Sequence, residues 1–304
     1  MKSGGLPPGI IINADDLGIH PRINAGIVSA YRHGVLTSST MLLTTPYLEE
    51  TVREIVRPGL LPVGLHLSLT LGKAVAPLAD VPDLVDEEGY FKHSAGRLIV
   101  RSFSDDKGRL LFEQVRRELT VQLALAHDWG IRPTHLDSHQ HVHMNPAIFR
   151  ICEAEARRFG VTRMRVCHEP FPWFALHLEI SKVLRRRNHA KWALIRWVSR
   201  AIDPHVATSD RFFGTVYSGI MLKRVLRALL QRTSSQQSLE ISMHPGFPVP
   251  PQELSRSERG FADFISSPLR QNEHDALIDN EIAALIRRQG LQPRAYDGAL
   301  KLTE

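Results

Sequence analysis

Four short apolar runs in this chain each lead to an aspartate or a histidine, and that recurrence restricts the fold more than any bulk property does. Ile10-Ile11-Ile12 runs into Asn13-Ala14-Asp15-Asp16-Leu17-Gly18, and Val63-Gly64-Leu65 runs into His66. Thr134-His135-Leu136-Asp137 opens a histidine-rich loop, and the run 239–243 stops at His244. Short apolar runs bounded by turn residues read as buried strands. Helical patterns fall between them, over 21–33, 48–56, 112–129, 146–159 and 222–231, with further strands at 37–43 and 164–166. The 112–129 stretch is the clearest, because Leu119, Leu123 and Ala126 share one helical stripe. Strands that alternate with helices call for parallel pairing. The fold class is therefore α/β, with mostly parallel strands in a (β/α) barrel or a distorted relative of one, in a single domain spanning 1–304. Barrels carry their ligand-binding groups at the C-terminal strand ends, so the four deliveries of Asp and His should meet on one rim.

Two stretches interrupt the alternation and read as insertions. Residues 72–106 hold Pro and Asp without clear periodicity, as an active-site loop would. Residues 168–203 form a basic, Trp-rich segment with helical character. It contains Trp173, Trp192 and Trp197 beside Lys182, Arg185, Arg186, Arg187, Lys191, Arg196 and Arg200, and no acid lies between Glu179 and Asp203. Helices that combine Trp and Leu with Arg and Lys suit contact with an anionic membrane surface. The same residues would equally serve a helical hairpin packed on the barrel with its arginines in solvent.

Bulk properties add exclusions. A net charge of +6 favours acidic partners, but no recognised nucleic-acid motif accompanies it, so nucleic acid is not an expected partner. With only Cys152 and Cys167, neither a disulfide framework nor a four-thiolate zinc site can form. No signal-peptide core opens the chain, and no window offers the roughly 20 apolar residues of a membrane span. The expected location is the cytoplasm, peripheral to the inner face of the membrane if 168–203 is interfacial.

Each polar strand end has a functional and a bland reading. Asp15 and Asp16 are adjacent carboxylates, which repel unless a cation or proton neutralises one; Asp is also a preferred helix N-cap. His66 and His244 could each be a hydrogen-bonded core histidine. His135-Leu136-Asp137-Ser138-His139-Gln140-His141-Val142-His143 packs four histidines and an aspartate into nine residues, and on extended backbone alternating histidines share one face. Taken together, these residues suit one divalent metal ion, zinc or else magnesium or manganese. Such an ion polarises a carbonyl and activates water, while a spare carboxylate serves as base and a spare histidine as acid. That is the equipment for amide or ester hydrolysis. A metal-dependent phosphoesterase uses similar residues but often needs two ions about 3.5–4 Å apart.

The same segments, with Gly34-Val35-Leu36-Thr37-Ser38-Ser39-Thr40 and Met243-His244-Pro245-Gly246, resemble the YdjC-like carbohydrate deacetylases, in family order over about 10–247. That family has a chitooligosaccharide branch and a hopanoid-biosynthesis-associated branch. The resemblance implies a deformed (β/α) barrel of mostly parallel strands, similar to those of polysaccharide deacetylases, and removal of N-acetyl from an acetylated amino sugar. It places metal ligands on Asp16, His66 and His139, the base on Asp15 and the acid on His244. Asp137, His141 and His143 fall in supporting or substrate-contacting positions, and Arg211, in Arg211-Phe212-Phe213-Gly214, in a segment that lines the site. Asp137-Ser138-His139 is closer to the chitooligosaccharide branch, whereas 168–203 is closer to the hopanoid one. An oligosaccharide and a lipid-linked amino sugar therefore both stand as expected substrates, and a homodimer is compatible with either.

Overall fold

A computed structural model describes residues 5–101, 106–171, 173 and 182–301. The first run becomes β1 (Gly9–Leu17), nine residues without an exposed member. A continuous rather than alternating apolar run is what a strand covered on both faces requires, and Ile10 and Ile12 have no exposed surface. The other strands are β2 (Ser38–Met41), β3 (Val63–Leu67), β4 (Leu136–Ser138), β5 (Arg211–Phe213) and β6 (Ser238–Met243). All pair in parallel, in the order β4-β3-β2-β1-β6-β5, as a curled half-barrel.

The open side is spanned by the extended stretch 162–168. Leu136 N–H donates to the Arg163 carbonyl and Arg165 N–H to the Leu136 carbonyl. Met164 N–H donates to Ala207, and Phe212 N–H of β5 to His168. These are isolated bridges rather than a regular ladder, which is the deformation of the barrel and the reason 164–166 does not become a full strand.

Helix starts follow local chemistry. Pro21 and Pro146 occupy first-turn positions, where a missing N–H costs nothing, in helices Pro21–His33 and Pro146–Arg158. Their caps are the His20 ring, which accepts from Arg22 N–H, and the Asn145 side chain, which accepts from Ala147 and Ile148 N–H. The Asp15-Asp16 pair therefore caps no helix. The expected helix 48–56 divides into Leu48–Thr51 and a wider π-turn, Val52–Val56. In helix Asp106–Asp128 the buried stripe is Leu111, Val115, Leu119, Leu123 and Ala126. Among the described residues no helix is long and apolar enough to cross a membrane.

Of the two insertions, residues 102–105, 172 and 174–181 lie outside the described residues. The first packs helix Ala95–Arg101 against the histidine turn 139–144. The second contributes helix Lys182–Val198. The C-terminal quarter, where no elements were expected, supplies helices Arg256–Arg259, Ala262–Ile265, Leu269–Leu277 and Asn280–Arg288.

Candidate active site

Asp15 and Asp16 reach the same rim because β1 does not end as a regular strand. Its register against β2 shifts between Ala14 and Leu17, and Asp16 adopts a left-handed φ of 71°. A bulge re-aims consecutive side chains that would otherwise point to opposite faces. A non-glycine residue in this region is strained and persists where its surroundings hold it.

The two carboxylates receive different partners. Asp15 is saturated: Arg165 grips both its oxygens at 2.8 Å, Asn13 Nδ2 donates at 3.0 Å and Ser242 Oγ at 2.9 Å. Burial would raise its pKa, but the Arg165 guanidinium, with help from His66 and His244, holds it well below the usual carboxylate range. Asp16 gives one oxygen to Arg270 at 2.7 Å. Its other oxygen faces His139 Nδ1 at 3.3 Å and His66 Nε2 at 3.6 Å. Here too burial opposes ionisation, and His139 and Arg270 overcome it, leaving Asp16 ionised.

His66 sits at the end of β3, its Nδ1 2.7 Å from Asp137 Oδ1 on neighbouring β4. A carboxylate on one ring nitrogen fixes the tautomer and directs the other lone pair inward, as around metal-bound imidazoles. Asp137 in turn accepts from Thr40 Oγ1 at 3.0 Å and Arg165 at 2.7 Å. Ligand atoms of Asp16, His66 and His139 all lie within 4.8 Å of one another, as do those of Asp15, His66 and Asp137. Arg165 bridges the two carboxylates of the second set, whereas in the first Arg270 binds Asp16 on the oxygen that does not face the histidines.

The histidine motif does not present a shared face. Residues 139–144 form a tight turn in which Gln140 and His141 adopt left-handed φ of 55° and 56°. His139 swings back to Asp16, whereas His141 lines the cleft with its Nδ1 buried and without a hydrogen-bond partner. His143 is locked beneath, between Ser138 Oγ at 2.5 Å and the Arg165 carbonyl at 3.1 Å. It thus steadies β4 and the closing segment and has no nitrogen left for substrate. His135 stacks on Tyr296, ring centroids 3.6 Å apart, and burial pushes its pKa down to about 3.

His244 follows β6, with Nε2 3.9 Å from Asp15 Oδ2. Glu273 accepts its backbone N–H at 2.5 Å. Two residues on, Gly246 lies against Gly26, where a Cβ would come within 2.5 Å of the Gly246 backbone. Burial lowers the His244 pKa to about 4, against the pull of Asp15 and Asp16.

Above this rim is a cleft of about 600 Å³ lined by Asp15, His66, His139, His141, Lys191 and His244, with Phe261 and Phe264 on one wall. No described residue of 72–106 lines it, so the first insertion buttresses the histidine turn instead of forming the cleft wall. Arg211 requires a correction. It opens β5 at the opposite end of the sheet, exposed and outside the cleft, because the C-terminal ends face the site. From its segment Phe212 does reach the site region, beneath Arg165 at 5.4 Å and edge-on to His141.

Sequence reading passed over Arg165, Glu240, Arg270 and Glu273. Arg165 is fully buried and also binds Glu240 at 2.6 Å, whose other oxygen accepts from Tyr296. A charged residue in each of two apolar strands was the available signal, since lone charges are almost never fully buried. Arg270 and Glu273 come from a C-terminal helix that carried no comparable mark.

Comparison with known proteins finds relatives over most of the chain. The curated relatives include a carbohydrate deacetylase of Geobacillus stearothermophilus, 31% identical over 80% of this chain and 81% of that protein. A chitooligosaccharide deacetylase of Serratia marcescens is 32% identical over 78% and 81%. A crystal structure described as a putative cellobiose-phosphate cleavage protein from Enterococcus faecalis superposes with a TM-score of 0.69 at 26% identity, covering 97% of this chain and all of that one. The sequence model of the YdjC-like proteins matches residues 9–288, and this chain belongs to that family.

Proposed function

We propose that this protein is a metal-dependent carbohydrate N-deacetylase that hydrolyses the acetamide of an acetylated amino sugar. The observation that carries the reading is the convergence of Asp16, His66 and His139 beside Asp15 and His244 on one rim. Deacetylase relatives that span about four-fifths of the chain support the substrate class.

Asp16, His66 and His139 would hold a divalent ion, which when bound lowers the pKa of water and polarises the acetyl carbonyl. Asp15 accepts the proton of the attacking water. Its tight pairing with Arg165 makes it a weak base, so it depends on the water being acidified. His244 is neutral near pH 7 at a pKa of about 4. It can therefore take up a proton through Asp15 at 3.9 Å and return it to the departing nitrogen. Water adds to the carbonyl carbon, the carbon–nitrogen bond breaks, and acetate and the free amine leave. A two-ion phosphoester mechanism is disfavoured because Arg165 occupies the second cluster.

A lipid-linked form of the substrate draws support from a specific surface. Trp173 and Trp197 are 73% and 56% exposed, and Arg196 and Arg200 are exposed beside the latter. Apolar rings flanked by cations are the composition of an interfacial contact. Co-sedimentation with anionic but not neutral vesicles, lost in Trp197→Ala, is the expected result.

The test is acetate release from metal-loaded protein on N-acetylated oligosaccharides and on a lipid-linked N-acetylhexosamine, with a chelated control. Metal-dependent acetate from either supports the reading, and the better substrate identifies the amino sugar that is deacetylated. Absence of acetate from all of them, with metal verified in the protein, overturns it.

A further inference from the structure

Among the described residues the catalytic scheme leaves two cations of the cleft lining without an assignment, Lys191 and the exposed Arg259. Helix Lys182–Val198 presents Asn188 and Lys191 to the cleft three residues apart, on one face. Two side-chain contacts fix that face. Asn188 Nδ2 donates to the Ser218 carbonyl at 3.2 Å, and Trp192 Nε1 to the Glu169 carbonyl at 3.0 Å, while Ile195 is buried one turn on. Lys191 stands between these anchors and lines the same cavity as Asp15, His66, His139 and His244. Among the described residues no carboxylate is ion-paired with it. The acids nearest in charge are already committed: Asp15 to Arg165, Asp16 to Arg270, and Glu169 to the backbone N–H groups of Thr215 and Val216.

We propose that Lys191 is a catalytic residue whose ammonium donates to the acetyl oxygen of the substrate and stabilises the negative charge that this oxygen gains as water adds. The inference rests on the deacetylase reading and adds a donor to it. As the water oxygen bonds to the carbonyl carbon, the carbonyl π pair moves onto the acyl oxygen. No bond to Lys191 forms; its ammonium holds that charge by a hydrogen bond until the carbon–nitrogen bond breaks. A cation aimed at charge that develops only in the transition state accelerates the chemical step rather than binding. Burial lowers the Lys191 pKa, against the ammonium form, while Cys167, Asp15, Glu169 and Asp16 oppose that fall, and its charge in turn bears on His139, His141 and His244. Part of the basic Trp-rich segment thereby has a role at the reacting atoms, independent of any surface contact.

Acetate release by wild type, Lys191→Met and Lys191→Arg tests the assignment, each variant loaded with metal and checked for ion content and melting temperature. Lys191→Met should keep the metal and lose about 10²–10³ in kcat, the usual cost of one oxyanion donor. Its KM should stay within about threefold of wild type, and Lys191→Arg should recover part of the rate. A wild-type kcat in Lys191→Met, or a defect confined to KM, overturns the proposal. Binding of acetate itself gives a readout without turnover: calorimetry should show at least about tenfold weaker binding to Lys191→Met, the scale of one charge-assisted hydrogen bond. Equal acetate binding overturns the proposal. Lys191-dependent acetate binding by a wild type that releases no acetate from any N-acetyl sugar would remove the deacetylase reading and leave the cation assignment standing.

Discussion

The floor of the site and the triad beside it each take an aspartate from the end of β1, yet the two carboxylates are given different partners. In the floor, Asp15, Asp137 and Glu240 surround Arg165, and every carboxylate there has its partners inside the protein. In the triad, ligand atoms of Asp16, His66 and His139 lie within 4.8 Å of one another, and the cation that Asp16 binds, Arg270, sits on its other oxygen. Adjacent residues of one motif, Asp15 and Asp16, fall on either side of this divide. The residue type alone therefore does not decide between a structural ion pair and a ligand; the charge already present around it does.

If the division is right, substitutions should separate cleanly. The largest effect is expected in the triad: Asp16→Asn, His66→Ala or His139→Ala should abolish turnover together with bound metal, read by acetate release and elemental analysis. Full activity in any of the three would break the assignment. Asp15→Asn should fold, keep the ion and lose about 10²–10⁴ in kcat, the range for a missing general base.

At the cation of the floor the effect should appear as stability. Arg165→Met leaves three buried carboxylates without their cation, and removing one member of a buried ionic network costs about 3–5 kcal/mol. Urea unfolding would measure it; a loss of less than about 1 kcal/mol, the scale of an exposed pair, would mean that the network is wetter than its burial indicates.

The smallest effect concerns pH. Burial drives the His135 pKa from 6.5 to about 3, so the folded state keeps this ring neutral while the unfolded chain protonates it. Its contribution is fully present above about 6.5 and is lost as pH falls toward 3. His135→Phe, which retains a ring against Tyr296, should show a shallower fall in melting temperature between pH 6.5 and 4 than wild type. An unchanged slope would mean that the ring is not held neutral.

Much of this architecture was legible in the sequence because burial leaves a plain mark. Ile10-Ile11-Ile12, Val63-Gly64-Leu65 and 239–243 announce strands covered on both faces, and Pro21 and Pro146 announce helix starts. The strand-end positions of Asp15, His66 and His244 follow from parallel pairing, whereas Asp16 joins Asp15 on the rim through the bulge of β1. What escaped depends on backbone geometry or long-range pairing. The left-handed residues Gln140 and His141 scatter the histidines that an extended chain would align. Arg211 was misplaced because β5 is three residues long and offers no periodicity to show which end faces the rim. Arg270, 254 positions from the Asp16 it binds, is marked by nothing in its own helix.

The most direct test of the account is metal stoichiometry in two matched variants, Asp15→Asn and Asp16→Asn, after stripping with chelator and reloading. The account predicts that Asp15→Asn rebinds a single ion while remaining nearly inactive, and that Asp16→Asn binds none. Loss of the ion from Asp15→Asn with retention by Asp16→Asn would contradict it and move the metal onto the Arg165 side of the site.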